Sequence, residues 1–139
     1  MLNFTSNNKL VIGPTNNSTY NLNPAGGYGL YVVDGILTEE VVVKLEADWP
    51  DYVFQLTYRL MPLEELEAFV QNNNHLPKVP SAAVVAKEGQ KLGENQKVLL
   101  EKIEELTLYL IEMNKELKSA QAKIEALEAK VESATATQP

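Results

Sequence analysis

The sequence predicts an α+β fibrous protein, with a small N-terminal β unit, a short middle helix and a long C-terminal parallel coiled coil. Three observations predict it: short β-branched runs near the start, an amphipathic stretch bounded by Pro and Asn, and a heptad repeat in the last part of the chain. We divide the 139 residues into a β-rich segment 1–47, a connector 48–91, a coiled coil 92–134 and a disordered tail 135–139.

The β-rich segment contains short apolar runs that favour strands. Leu10-Val11-Ile12 is one such run, and Val32-Val33 and Val41-Val42-Val43 are separated by Asp34-Gly35, a dipeptide suited to a tight hairpin turn. An isolated hairpin is marginally stable in water, and so short a segment buries little apolar surface. We therefore expect this β unit to form between chains.

The connector begins with the densest aromatic cluster of the chain, Trp49, Tyr52 and Phe54, which we predict to be a packing anchor. Pro62 then stands where a first helical residue would be, before an amphipathic helix that ends at Asn72-Asn73-Asn74. Its apolar face consists of Leu63, Leu66, Phe69 and Val70. Ser81 is a candidate N-cap for a further short helix through Val85, which Gly89 would end.

The strongest pattern is a heptad repeat that begins at Leu92. One apolar series, placed at position d, recurs every seventh residue, and a second, at position a, follows each member by four residues. The predicted oligomerisation core consists of Leu92, Gln96, Leu99, Ile103, Leu106, Leu110, Met113, Leu117, Ala120, Ile124, Leu127 and Val131. Such a stripe must be buried against another helix, and the chain has no second segment of comparable length, so the partner must come from another molecule.

The sequence indicates less directly how many helices form the coiled coil and whether they are parallel. Lys123 at g can pair with Glu128 at the next e position of a neighbouring parallel chain, which favours a parallel arrangement. Periodicity alone leaves dimer and trimer open. Leu100 and Tyr109 widen the apolar stripe onto the e and g positions, and Gln96 places an amide in the core, so we favour a homotrimer.

Composition excludes several classes of function. The net charge of −7 disfavours nucleic acid and anionic membranes, and no apolar run approaches the length of a membrane span. With no cysteine, thiolate metal sites are excluded, and His75, the single histidine, has no ligand or nucleophile beside it. Adjacent acidic pairs such as Glu104-Glu105 are interpreted as solvated surface. We expect no enzymatic activity, no cofactor and no metal, and a protein made in the bacterial cytoplasm without a visible signal peptide.

Residues 30 to 117 resemble the conserved C-terminal region of bacterial and bacteriophage tail-fibre-like and surface proteins. The resemblance is carried by Asp51-Tyr52-Val53-Phe54, Tyr58, Leu60, Pro62-Leu63, Glu67, His75-Leu76-Pro77, Val79-Pro80-Ser81-Ala82 and, nearly letter for letter, the run from Leu100 to Lys115. Gln55-Leu56-Thr57 departs from it, since acidic residues are more usual there. The resemblance implies a homotrimeric fibre tip or stem module on a phage virion or an injection-type particle, with no catalytic residues.

Three functions are consistent with this resemblance. The first is a structural fibre component that attaches to a larger particle or fibre protein. The second is a trimerisation or folding chaperone module that brings upstream β segments of a larger fibre into register. The third is a receptor-binding tip that uses Tyr20, Tyr28 and Tyr31 to bind a surface glycan.

Overall fold

The computed structural model of the protein describes residues 2–4, 10–13, 28–44 and 49–135. As predicted, these residues are mostly helical, with a long helix at the C-terminal end and a small β-sheet near the start. The chain divides into two compact units, Met1–Val42 and Val43–Pro139, and each is described by itself.

The first unit contains a sheet of three short strands, β1 (Leu2–Phe4), β2 (Leu10–Ile12) and β3 (Leu30–Val32). The order is β1-β2-β3, with β1 antiparallel and β3 parallel to β2. Val11 on β2 and Val33, just beyond β3, are the buried side chains of this unit among the described residues. The backbone N–H of Val33 donates to the carbonyl of Ile12, which extends the pairing by one residue.

This sheet differs from the prediction in two ways. Asp34 and Gly35 do turn the chain with positive φ angles, but Val41, Val42 and Val43 form no strand and stay exposed, so the predicted hairpin is not formed. β3 pairs instead with β2, which allows Val11 and Val33 to be buried. The three strands also pair within one chain, whereas the prediction is pairing between chains.

The second unit contains a 3₁₀ helix (Pro50–Phe54) and three α-helices, α1 (Leu63–Asn73), α2 (Ala82–Glu88) and α3 (Leu92–Thr135). Pro62 directly precedes α1, and Asn74 ends it in the left-handed conformation with φ 58°. The Ser81 side chain accepts a hydrogen bond from the Val84 backbone N–H, and Gly89 ends α2. Both short helices are therefore where the sequence predicts them, with α2 extending beyond Val85 to Glu88.

The long helix α3 has 44 residues and begins at the predicted Leu92. At about 1.5 Å per residue it is a rod of about 66 Å. The 3₁₀ helix packs on it, so the predicted connector and coiled coil belong to the same compact unit. α3 ends at Thr135, and the remainder of the predicted tail lies outside the described residues.

Gly13 provides a test of the sheet. A Cβ atom added there would lie 2.7 Å from the Cβ of Val33, and the φ of +129° is one that other residues rarely adopt. We expect Gly13→Ala to destabilise the sheet by about 1–3 kcal/mol, as for overpacking elsewhere. The measurement is amide hydrogen exchange at Leu10 and Val33, whose N–H groups donate across the pairing of β2 with β3. Gly29→Ala is the control because a Cβ there meets open space. Unchanged protection in Gly13→Ala would contradict this packing.

Candidate functional site

The predicted oligomerisation core forms an exposed apolar stripe along α3, which we call the seam. It consists of Leu92, Gln96, Leu99, Ile103, Leu106, Leu110, Met113, Leu117, Ala120, Ile124, Leu127 and Val131, and all of them are exposed. Among the large side chains the exposure runs from 43% at Leu99 to 66% at Leu117. A stripe of this length on one chain is an apolar surface available for a second helix.

The opposite side of α3 is covered by the chain itself. Residues 49–61, which we call the covering segment, pack over the b, c, f and g positions of the first half of the helix. Glu101 at f, Glu104 at b and Tyr109 at g are buried, the buried residues of α3 among those described. The covering segment therefore occupies the outer face of the heptad repeat and leaves the seam free.

The covering segment packs through different side chains from those predicted. Val53 is 1% exposed and Pro50 is also buried, whereas Trp49 and Phe54 are each more than half exposed. Tyr52 is half-buried, and its hydroxyl donates a hydrogen bond to the Glu101 carboxylate. The small aliphatic side chains thus supply the apolar contact, and the tyrosine supplies a polar one.

Glu101 joins three parts of the unit. Besides the Tyr52 hydroxyl, its carboxylate accepts from the Lys78 ammonium at 2.7 Å and lies 3.2 Å from that of Lys102. Burial alone would raise its pKa, but the hydrogen bonds from Lys78, Tyr52 and Lys102 outweigh it and lower the pKa to about 2. Lys78 itself has a positive φ of 67°.

A second carboxylate, Glu105, extends this network by one turn. It accepts from the Tyr58 hydroxyl, and its other oxygen lies 2.6 Å from the Lys102 ammonium. The rings of Tyr52 and Tyr58 are 5.9 Å apart. The hydrogen bond to Glu101 and burial raise the pKa of Tyr52 to about 12, and burial and the bond to Glu105 raise that of Tyr58, so both hydroxyls stay protonated donors.

Tyr109 has a different role from the predicted one. The sequence predicts that it widens the apolar stripe at a g position, but it is buried under the end of the covering segment, and its hydroxyl donates to the Met61 carbonyl. Burial raises its pKa, with a smaller contribution from the charges of Glu105 and Glu112. Of the two residues predicted to widen the apolar stripe, Leu100 remains, and it is half-buried.

Glu104 is also buried under the covering segment, but its carboxylate is not fully hydrogen-bonded. It is 9% exposed, and in the described part of the chain its Oε2 atom has no hydrogen-bond partner. Burial raises its pKa, and the charges of Asp51 and Glu101 raise it further. The prediction that the pair Glu104-Glu105 is solvated surface is thus wrong, because the covering segment shields both residues.

The remaining candidate residues show no arrangement for chemistry. His75 packs edge-on against Phe69, with ring centroids 5.8 Å apart, and its Nδ1 lies 2.9 Å from the Leu76 carbonyl oxygen. Within the described ranges no group of His, Asp and Glu side chains is placed to hold a metal ion, and no helix there is apolar over a length that would cross a membrane. Tyr28 and Tyr31 form an edge-to-face pair at 6.4 Å, and Tyr20 lies outside the described residues.

Comparison of the chain with protein-family models, with curated proteins and with solved structures finds no match. The tail-fibre resemblance therefore stays a prediction from the quoted residues. What the geometry defines is a protein with one long helix, whose outer face is covered within the chain and whose heptad seam is exposed.

The two buried glutamates give a matched test of this network. Glu101→Gln removes the charge that Lys78 and Lys102 neutralise, and we expect it to lower the free energy of unfolding by about 2 kcal/mol at neutral pH, since Lys78 is exposed and Lys102 keeps its pair with Glu105. Glu104→Gln removes a charge that has no partner, so we expect no loss, or a gain of up to about 1 kcal/mol. Denaturant unfolding followed by Trp49, the single tryptophan, measures both at one protein concentration.

The effects of these two substitutions on stability should also depend differently on pH. Because the pKa of Glu101 is lowered from 4.5 to about 2, its stabilisation is complete above pH 4.5 and is lost as pH falls toward 2. The stability difference between wild type and Glu101→Gln should therefore shrink over that range. The pKa of Glu104 is raised instead, so its ionised carboxylate destabilises the folded state. Protonation at low pH should therefore remove this destabilisation. Equal effects of the two substitutions at pH 7 would contradict the assigned network.

Proposed function

We propose that this protein is a structural fibre component that forms a parallel homotrimer through the seam of α3. In this proposal it is a short tail-fibre-like or particle-surface protein, carried on a phage virion or an injection-type particle. Its role is mechanical: the helix joins three chains, and each chain brings its N-terminal unit into the assembly. The proposal includes no enzymatic step and no cofactor.

The observation that carries the proposal is the difference between the two faces of α3. An amphipathic helix of a monomer buries its apolar stripe and exposes its charged side. Here the chain covers charged outer positions such as Glu101, while Ile103 and Leu106 on the seam are 59% and 56% exposed. This arrangement is the one expected of a helix whose apolar stripe is reserved for other chains.

Two further features support a parallel trimer. Lys123 and Glu128 are exposed at g and e positions, where they can pair between parallel neighbours. Gln96 is an exposed amide at an a position, which would set the register of the assembly. The tail-fibre resemblance supports a trimer over a dimer, and it supports a location on a phage virion or an injection-type particle. Detection of this polypeptide in the mature particle would support the fibre, and its absence there would favour the folding-chaperone alternative.

The first test is the mass of the assembly. Light scattering behind size exclusion should report about three chains, and Ile103→Asp should reduce this to one, since it would bury three carboxylates in one core layer. Ala122→Asp is the control, because Ala122 is exposed at the outermost f position of the same helix. A monomeric wild type would overturn the proposed assembly, and a dimer would overturn the number of chains. If Ile103→Asp keeps its mass and helicity, the heptad register is wrong.

A further inference from the structure

The helix α1 has an apolar face that its own chain covers only in part. None of its residues is buried, and Leu63 and Val70, two turns apart on that face, are 47% and 36% exposed. Leu66 and Phe69 between them are half-buried. An amphipathic helix of 11 residues in this condition is one that packs against something else.

The start of α1 is held at one side of α3. The Tyr109 hydroxyl donates to the carbonyl of Met61, and α1 begins two residues later at Leu63. Tyr109 occupies a g position. In a parallel coiled coil the g side of one helix faces the e side of the next, so α1 begins at the border with the neighbouring chain.

The facing surface of that neighbour carries an unexplained apolar residue. A g residue lies opposite the e residue five positions later, so Tyr109 lies opposite Asn114 of the next helix. Beside Asn114, at the adjacent b position, Ile111 is 46% exposed. It belongs neither to the seam nor to the surface under the covering segment. Since two residues advance a helix by about 200°, Ile111 lies on nearly the opposite side of α3 from Tyr109 of its own chain.

Charge favours the same pairing. The first five residues of α1 include Glu64, Glu65 and Glu67, and α1 has no basic residue. On α3, Lys115 and Lys118 follow Ile111 at four and seven residues, and both are exposed. An acidic helix with an apolar face is thus complementary to an exposed isoleucine that two lysines follow.

We propose that α1 docks through its apolar face on α3 of the neighbouring chain, over Ile111, so that each chain of the assembly holds the next. This inference rests on the proposed parallel trimer. The contact is head-to-tail, and three such contacts close into a ring around the seam. It adds a second interface, on the outside of the coil, to the one formed by the a and d residues.

The chain has no cysteine, which allows a direct test by cross-linking. The double variant Leu63→Cys with Ile111→Cys is oxidised in the native assembly, or treated with a short bismaleimide, and run on a denaturing gel. We expect a covalent trimer as the main product, since each chain has one bond to the next. Each single variant can form at most one bond per chain and should give no covalent trimer. Leu63→Cys with Ala122→Cys is the matched control pair and should give none either.

The outcomes separate the two proposals. A light-scattering mass of three chains without cross-linked trimer overturns the docking and leaves the trimer standing. A cross-linked monomer, in which the two introduced thiols of one chain bond to each other, also overturns the docking. A monomeric mass before cross-linking overturns both. Should the first double variant lose helicity, Leu66→Cys with Ile111→Cys gives the same readout one turn along α1.

Discussion

The carboxylate of Glu101 lies beneath three donors that come from three parts of the second unit. Tyr52 belongs to the covering segment, Lys78 to the loop between α1 and α2, and Lys102 to α3 itself. A buried carboxylate is strongly unfavourable unless its charge and lone pairs are satisfied, so these donors must be present together. The unit thus depends on one charge at an f position, and Val53 and Pro50 are the buried apolar residues of the covering segment.

This constraint explains how one helix can serve two purposes. Because the polar network holds the covering segment on the outer face, the chain does not use the a and d residues for its own folding. The seam is left continuous from Leu92 to Val131, which is the condition for assembly through it. Burial of Tyr109 places the start of α1 beside the g edge of α3, which ties the outer layer to the proposed assembly.

Sequence reasoning succeeded where the signal is local or periodic. The heptads predicted α3 from its first residue, and Pro62, Ser81 and Gly89 marked the ends of α1 and α2. It failed where distant residues meet. A glutamate at f or b of a heptad is ordinarily solvated, so nothing near Glu101 or Glu104 in the sequence indicates burial under a segment some 50 residues away. The sequence does not predict the pairing of β3 with β2 for the same reason: the valine run 41–43 lies nearer to β3 along the chain than β2 does.

In the proposed assembly other chains cover the seam, while the chain itself covers the outer face. Thiol reactivity tests it most directly in this cysteine-free chain, with one cysteine on the seam, Leu106→Cys, and one at the exposed f position, Ala122→Cys. In the native assembly the seam thiol should react at least about tenfold more slowly, and in denaturant the two rates should be equal. Equal rates in the native protein would contradict the account.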